Sequence, residues 1–119
     1  MDYREIYRDL GYHTAIIKFR KRDGEMRAML CTRNEDTMRL LGEAVRLGGY
    51  DARCNVKNGN IAVVDLIIGE PRQFSVNRLE GVELFGEIDS LDKLGELVDR
   101  FEEEAKSVEK RALSLDDLD

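Results

Sequence analysis

Apolar residues along this chain recur at helical spacing near both ends and at strand spacing in between. Tyr3, Ile6, Tyr7 and Leu10 share one helical face and Gly11 follows as a stop, which predicts an N-terminal helix within 1–12. Ala15, Ile17 and Phe19 then alternate with Ile16, Lys18 and Arg20, the period of a strand. Asp23-Gly24 supplies a turn. On the return strand Met26, Ala28 and Leu30 point one way and Arg27, Met29 and Cys31 the other. The period changes at 34–49, where Met38, Leu41 and Val45 recur at three and four residues. Asn34 is a good N-cap, Glu35 and Asp36 suit the positive end of a helix dipole, and Gly48-Gly49 ends the segment, so an inserted helix is expected.

Strand spacing returns at 51–57, where Ala52, Cys54 and Val56 alternate with polar residues before the hairpin signal Asn58-Gly59. The run 60–68 is almost wholly apolar and predicts a strand covered on both faces. Gly69-Glu70-Pro71 reads as a turn, residues 72–77 as a strand with Phe74 and Val76 inward, and 82–88 as a last strand. From Ser90 to about Ala112 the period is helical, with Leu91, Leu94, Leu97, Val98, Phe101, Ala105 and Val108 in one stripe. The fold class expected is mainly β with flanking helices (α+β). A small antiparallel barrel spans 13–88 with an inserted helix at 34–49, preceded by the 1–12 helix and followed by an acidic C-terminal helix and tail at 89–119.

Composition adds one asymmetry to this picture. The 119 residues suit one domain, and 19 Lys and Arg against 25 Asp and Glu give a net charge of -6, which counts against a generic nucleic-acid coat. The charge is unevenly spread: residues 1–78 carry 14 basic and 11 acidic side chains, a net of +3, whereas residues 79–119 carry 5 and 14, a net of -9. A mildly basic body therefore bears a strongly acidic arm. No apolar run approaches the ~20 residues of a membrane span, so no membrane association is expected. The charged start, MDYREIYRDL, lacks an apolar segment, so a signal peptide is not expected there. Two cysteines without close spacing fit a reducing cytosol.

The stretch KFRKRDGEMRAMLCTRN resembles the opening hairpin of a family of small tailed-phage proteins with an Sm-like, Src-homology-3-like β-barrel. The matching positions are Lys21, Arg22, Asp23, Gly24, Arg27, Met29, Cys31 and Thr32. Downstream, Val63, Asp65, Leu66, Gly69, Arg72 and Phe74 are similar to that family's second block. The resemblance covers residues 13–88 and leaves the acidic arm outside; segment 35–50 is longer and more helical than that family's loop. It implies a phage origin, a cytoplasmic setting in an infected bacterial host and a non-enzymatic barrel.

Little in the sequence suggests catalysis. His13 is the only histidine, without a nucleophile motif, and reads as structural. Cys31 and Cys54 fall on expected strands, facing each other across the barrel, and read as small buried hydrophobes; with His13 they make three ligands at best without zinc spacing. No metal or other cofactor is expected. Asp65, inside the apolar strand, calls for a hydrogen-bond partner or a cation such as Arg72 or Arg27.

Binding is the function expected. The first candidate is a phage accessory protein that engages a host or phage protein and modulates host machinery or defence. Its contact residues are Asp99, Glu102 and Glu103 on the last helix and Leu113, Leu115 and Leu118 in the tail. The second candidate is a nucleic-acid-binding barrel that uses Lys18, Arg20, Lys21, Arg22, Arg27 and Arg33 around the first hairpin. Arg53, Lys57, Arg72 and Arg78 are further cations on polar faces or turns, whereas the aromatics fall on apolar stripes and look like core. The stripe of the last helix packs either on the barrel or on a second copy, as a homodimer contact.

Overall fold

The computed structural model describes residues 2–116, and side chains as far as Val108. Helix α1 (Tyr3–Tyr12) starts where the Asp2 carboxylate accepts from the Arg4 N–H at 3.1 Å, and it buries Ile6 and Leu10. Strands β1 (Thr14–Arg20) and β2 (Met26–Thr32) form an antiparallel hairpin over their full length. Strands β3 (Asn60–Asp65) and β4 (Glu70–Ser75) form a second one, and β5 (Leu79–Leu84) returns to pair with β1. The result is a compact α+β domain built on one five-stranded antiparallel sheet, in the order β4-β3-β2-β1-β5.

That order forces curvature. β4 and β5 are the two edges, which in a flat sheet lie four strand spacings or roughly 19 Å apart. They are joined only by the 3₁₀ helix Val76–Arg78, and four residue steps span at most about 13 Å. The sheet therefore bends so that the end of β4 approaches the start of β5. It does not close: among the described residues no ladder joins β4 to β5, so the expected barrel is an open, curled sheet. The 3₁₀ turn sends the chain to pair with β1 instead of turning back along β4.

Both faces of the sheet are covered, and adjacent residues divide between them by the two-residue period. The concave face takes Ile17, Met29, Cys31, Ile61, Val63 and Phe74 together with Ile6 and Leu10 of α1. The convex face takes Ile16, Leu30, Val64 and Leu66. Helix α3 (Leu91–Asp116) covers this face with Leu94 and Leu97, and Ser90 caps it by accepting from the Lys93 N–H at 3.2 Å. The stripe along α3 thus packs on the chain's own sheet. The tail positions Leu113, Leu115 and Leu118 lie outside the side chains described.

The inserted helix is much shorter than its spacing predicts. α2 is Glu35–Arg39 alone, capped by Asn34, whose side chain accepts from the Thr37 N–H at 3.0 Å. The chain then turns at Gly42, where φ is 140°, a region L-residues rarely visit, and continues as irregular backbone to a 3₁₀ helix at Gly48–Arg53. Met38 is buried on the convex face, with Val45 and Leu47 packed beside it, so the apolar period reports burial without a helix. The expected strand at 51–57 is also absent, leaving one isolated bridge between Asn55 and Asn60. Side chains occupy that edge of β3 instead: the Ala62 N–H donates to Cys54 Sγ at 3.3 Å, and Arg33 donates to the Ala62 carbonyl.

Candidate binding groove

The β2–β3 seam is the weak line of the sheet. β2 meets β3 only at Cys31 opposite Asp65 and Thr32 opposite Val64, with one further bond from the Leu66 N–H to the Leu30 carbonyl at 2.9 Å. From Met26 to Met29 β2 pairs with β1 alone, and the two hairpins part. The parting opens a groove of about 1130 Å³ on the concave side, walled by the β1–β2 tip on one flank and by β3, β4 and the 3₁₀ turn on the other.

Four of the cations singled out from the sequence, Arg20, Lys21, Arg22 and Arg27, line this groove, joined by Arg72 and Arg78 from the opposite wall. The sequence signal for Arg72 is phase. Residues 72, 74 and 76 share one face of their segment, and Phe74 and Val76 are core. Arg27 stands in the same way to Met29 and Cys31, and Lys21 to Ile17 and Phe19. Each inward apolar row runs out into a charged residue at the mouth of the curl.

Carboxylates hold some of these cations. Arg20 reaches Glu80 at 3.3 Å, Lys21 lies 3.7 Å from Asp23 and 3.5 Å from Glu25, and Arg72 lies 3.8 Å from Glu70. The Glu25 N–H, donated to the Asp23 carboxylate at 2.9 Å, and the neighbouring Lys21 hold that carboxyl below its ordinary range. Among the described residues Arg22, Arg27 and Arg78 make no ion pair, and all three are exposed. The amides of Asn58, Asn60, Gln73 and Asn77 add neutral donors and acceptors to the walls. The floor is apolar but gives no stacking surface, since Phe74 is only 3% exposed and its ring tilts against Phe19 with centroids 6.1 Å apart.

Two cations expected near the hairpin lie elsewhere. Lys18 points to the convex side and approaches Glu104 of α3 at 3.7 Å. Arg33 is spent inside the fold, with a side chain only 9% exposed. Its guanidinium donates to Asp51 at 2.6 Å, to the Tyr7 hydroxyl at 3.1 Å and to the Ala62 carbonyl, and lies 4.4 Å from the centre of the Tyr7 ring. Burial works against its charge, but the hydrogen bond to Asp51 and neighbouring Cys54, Tyr7 and Asp51 outweigh it, so protonation is favoured beyond the usual arginine range. Tyr3 joins this cluster by stacking on Tyr7 and donating to the Asn60 carbonyl at 2.8 Å.

Asp65 finds neither of the arginine partners expected for it. Its carboxylate accepts from the N–H groups of Ile67 at 2.9 Å and Ile68 at 3.4 Å, fixing the β3–β4 turn at the fork of the groove. Cys31 lies in the concave core, its thiol pushed up by burial and then by Asp65. Cys54 lies at the β3 edge beside Arg33 instead of packing in that core, and both thiols are free. His13 Nδ1 accepts from the Gly86 N–H at 3.0 Å and ties the start of β1 to the segment after β5. Among the described residues no group of three His, Cys, Asp or Glu could hold a metal ion. Nor is any helix among them long and apolar enough to cross a membrane.

The acidic candidates Asp99, Glu102 and Glu103 are exposed on α3, away from its packed stripe. Glu104, beside them, turns toward Lys18 and Arg100. The molecule therefore presents a cationic groove on its concave side and carboxylates on the helix behind the sheet. No family model, no curated protein and no solved structure matches the chain significantly.

Proposed function

We propose that the chain is a non-enzymatic binding module that takes an acidic segment of a partner protein into the concave groove. One observation carries this reading: cations from two separate hairpins and the 3₁₀ turn converge on a single groove, and Arg22, Arg27 and Arg78 lack a carboxylate partner among the described residues. Solvated contacts of this kind are worth up to about 1 kcal/mol each, so binding is modest and sensitive to salt. The Sm-like reading belongs to the same proposal. It is supported by edge strands that are consecutive in sequence and joined by one tight turn, so that a small further curl would bring them together. On that reading the protein is a phage accessory factor and the partner is a host or phage protein.

A single-stranded nucleic acid is the second reading, favoured by the same arginines. Phe74, buried, and Phe19, half-buried and tilted against it, argue against it because they present little ring face on which bases can stack. Three uncompensated cations also predict a salt slope of only about -2 for a single strand.

Fluorescence anisotropy decides between them, with a labelled peptide that alternates Glu and Val and a labelled single-stranded oligonucleotide, at about 50 and about 200 mM salt. The peptide is expected to bind more weakly at the higher salt. The combined Arg22→Ala, Arg27→Ala and Arg78→Ala changes should weaken it roughly tenfold or more. Oligonucleotide binding with the same dependence on the three arginines, and no peptide binding, assigns the groove to nucleic acid. Binding of neither ligand overturns the groove as the functional site.

A further inference from the structure

The seam that opens the groove leaves part of a strand without a neighbour. Backbone groups of a strand alternate sides along the chain. The Leu30 carbonyl accepts from Leu66 on the β3 side, so Leu30 faces away from β1, and by the same period Ala28 and Met26 direct their N–H and C=O groups away from β1 as well. β3 does not reach them, because its pairing with β2 is confined to Cys31 and Thr32. Among the described residues no hydrogen bond crosses to the backbone of either residue. Arg27 and Ala28 line the groove on the concave side of this edge and also the smaller cleft beneath α3 on the convex side, so the opening runs through the sheet.

An internal strand that lacks a neighbour for half its length is a template for one more strand. No part of β3 faces Met26 and Ala28, because β3 ends at Asp65, opposite Cys31, and the chain turns there into β4. A strand laid against Met26 and Ala28 runs directly past the exposed guanidinium of Arg27, with Arg72 on the opposite wall. Its side chains alternate between the cationic groove on the concave side and the cleft on the convex side, which Phe101, Ala105 and Val108 of α3 line. The occupant that fits is a short extended peptide in which acidic residues alternate with apolar ones.

Resting on the groove reading above, we propose that the acidic partner segment binds by strand addition to the free edge of β2 at Met26–Ala28. Main-chain hydrogen bonds would then give a directional component that charge alone cannot.

The test uses the full chain and peptides of about six residues that alternate Glu and Val. In one series every second backbone nitrogen is methylated in one phase; in another, in the opposite phase. Methylation changes no charge. Strand addition expects one phase to lose binding about fivefold or more per blocked bond while the other phase changes little. It also expects slowed hydrogen exchange at the Met26 and Ala28 amides when the unmodified peptide is bound. Ala28→Pro removes one of these donors without a bond to β1 being lost. If that variant does not fold, the methylated peptides still decide.

Equal loss in both phases, or none in either, with unchanged exchange at Met26 and Ala28, overturns strand addition while leaving the arginine groove intact. No binding of the unmodified peptide overturns both. An oligonucleotide that displaces the peptide and is itself indifferent to Ala28→Pro assigns the groove to nucleic acid and overturns the proposal.

Discussion

Arg33 and two of the groove arginines, Arg22 and Arg27, belong to the same basic stretch of sequence, yet they sit in opposite physical situations. Arg33 follows β2 directly and is enclosed by Tyr7, Asp51, Cys54 and the Ala62 carbonyl. Arg22, Arg27 and Arg78 stand exposed at the mouth of the curl, with no carboxylate partner among the described residues. A buried guanidinium holds its fold together because the groups around it have nothing else to bond. An exposed one contributes little to folding and stays available for a partner. Charge counted along the chain treats the two alike; burial and partners separate them.

Removing Arg33 should therefore produce the largest effect among these residues. Arg33→Ala strips the Ala62 carbonyl of its donor, takes the cation from the face of Tyr7 and opens the edge of β3, an expected loss of about 2–4 kcal/mol. Asp51→Asn should cost less, about 1 kcal/mol, because Asp51 is 57% exposed and water replaces part of what Arg33 supplies. Arg22→Ala and Arg78→Ala should each stay within about 0.5 kcal/mol of the parent. Urea unfolding followed by circular dichroism measures all four. A loss of more than about 1 kcal/mol at Arg22 or Arg78 would place those side chains in the fold and break the contrast.

The sequence makes the strands and their faces legible because burial imposes a clean two-residue period. Ile16 and Ile17 divide between the convex and concave clusters, as do Val64 and Val63. The N-caps Asn34 and Ser90 and the turn at Asp23-Gly24 are equally local signals. Failures begin where geometry depends on distant segments. Met38, Val45 and Leu47 keep an apolar rhythm since the convex face needs covering, whereas positive φ at Gly42 and Gly48 breaks the helix that rhythm suggests. Strand spacing at 51–57 is cancelled because Arg33 and Cys54 take the hydrogen bonds a strand would make. Half of the groove was visible as a basic hairpin; Arg72 and Arg78 joined it only once the curl brought β4 and its following turn opposite that hairpin.

Two exposed carboxylates, Asp23 beside the groove lysine Lys21 and Asp89 outside the groove lining, give the smallest effect and a sharper form of the same contrast. Asp23 is held below the ordinary aspartate value of 3.8 chiefly by the Glu25 N–H and then by Lys21, and Asp89 is held below it by its hydrogen bond to Lys93 at 2.9 Å. A carboxyl depressed in the folded state favours folding while it is ionised. That contribution is complete above 3.8 and is lost as the pH falls through the lower folded value. Thermal melts should thus hold steady on acidification to about 3.8 and fall below it. Asn at both positions should make the fall shallower. Both groups are fully solvated, so the change is slight. Protonation of Asp23 also leaves Lys21 at the groove mouth with Glu25 as its one carboxylate partner among the described residues. Asp23→Asn should therefore strengthen binding of the acidic peptide near neutral pH while Asp89→Asn, outside the groove lining, leaves it unchanged. Equal effects of the two substitutions on binding would show that net charge, and not the groove, is what the peptide reads.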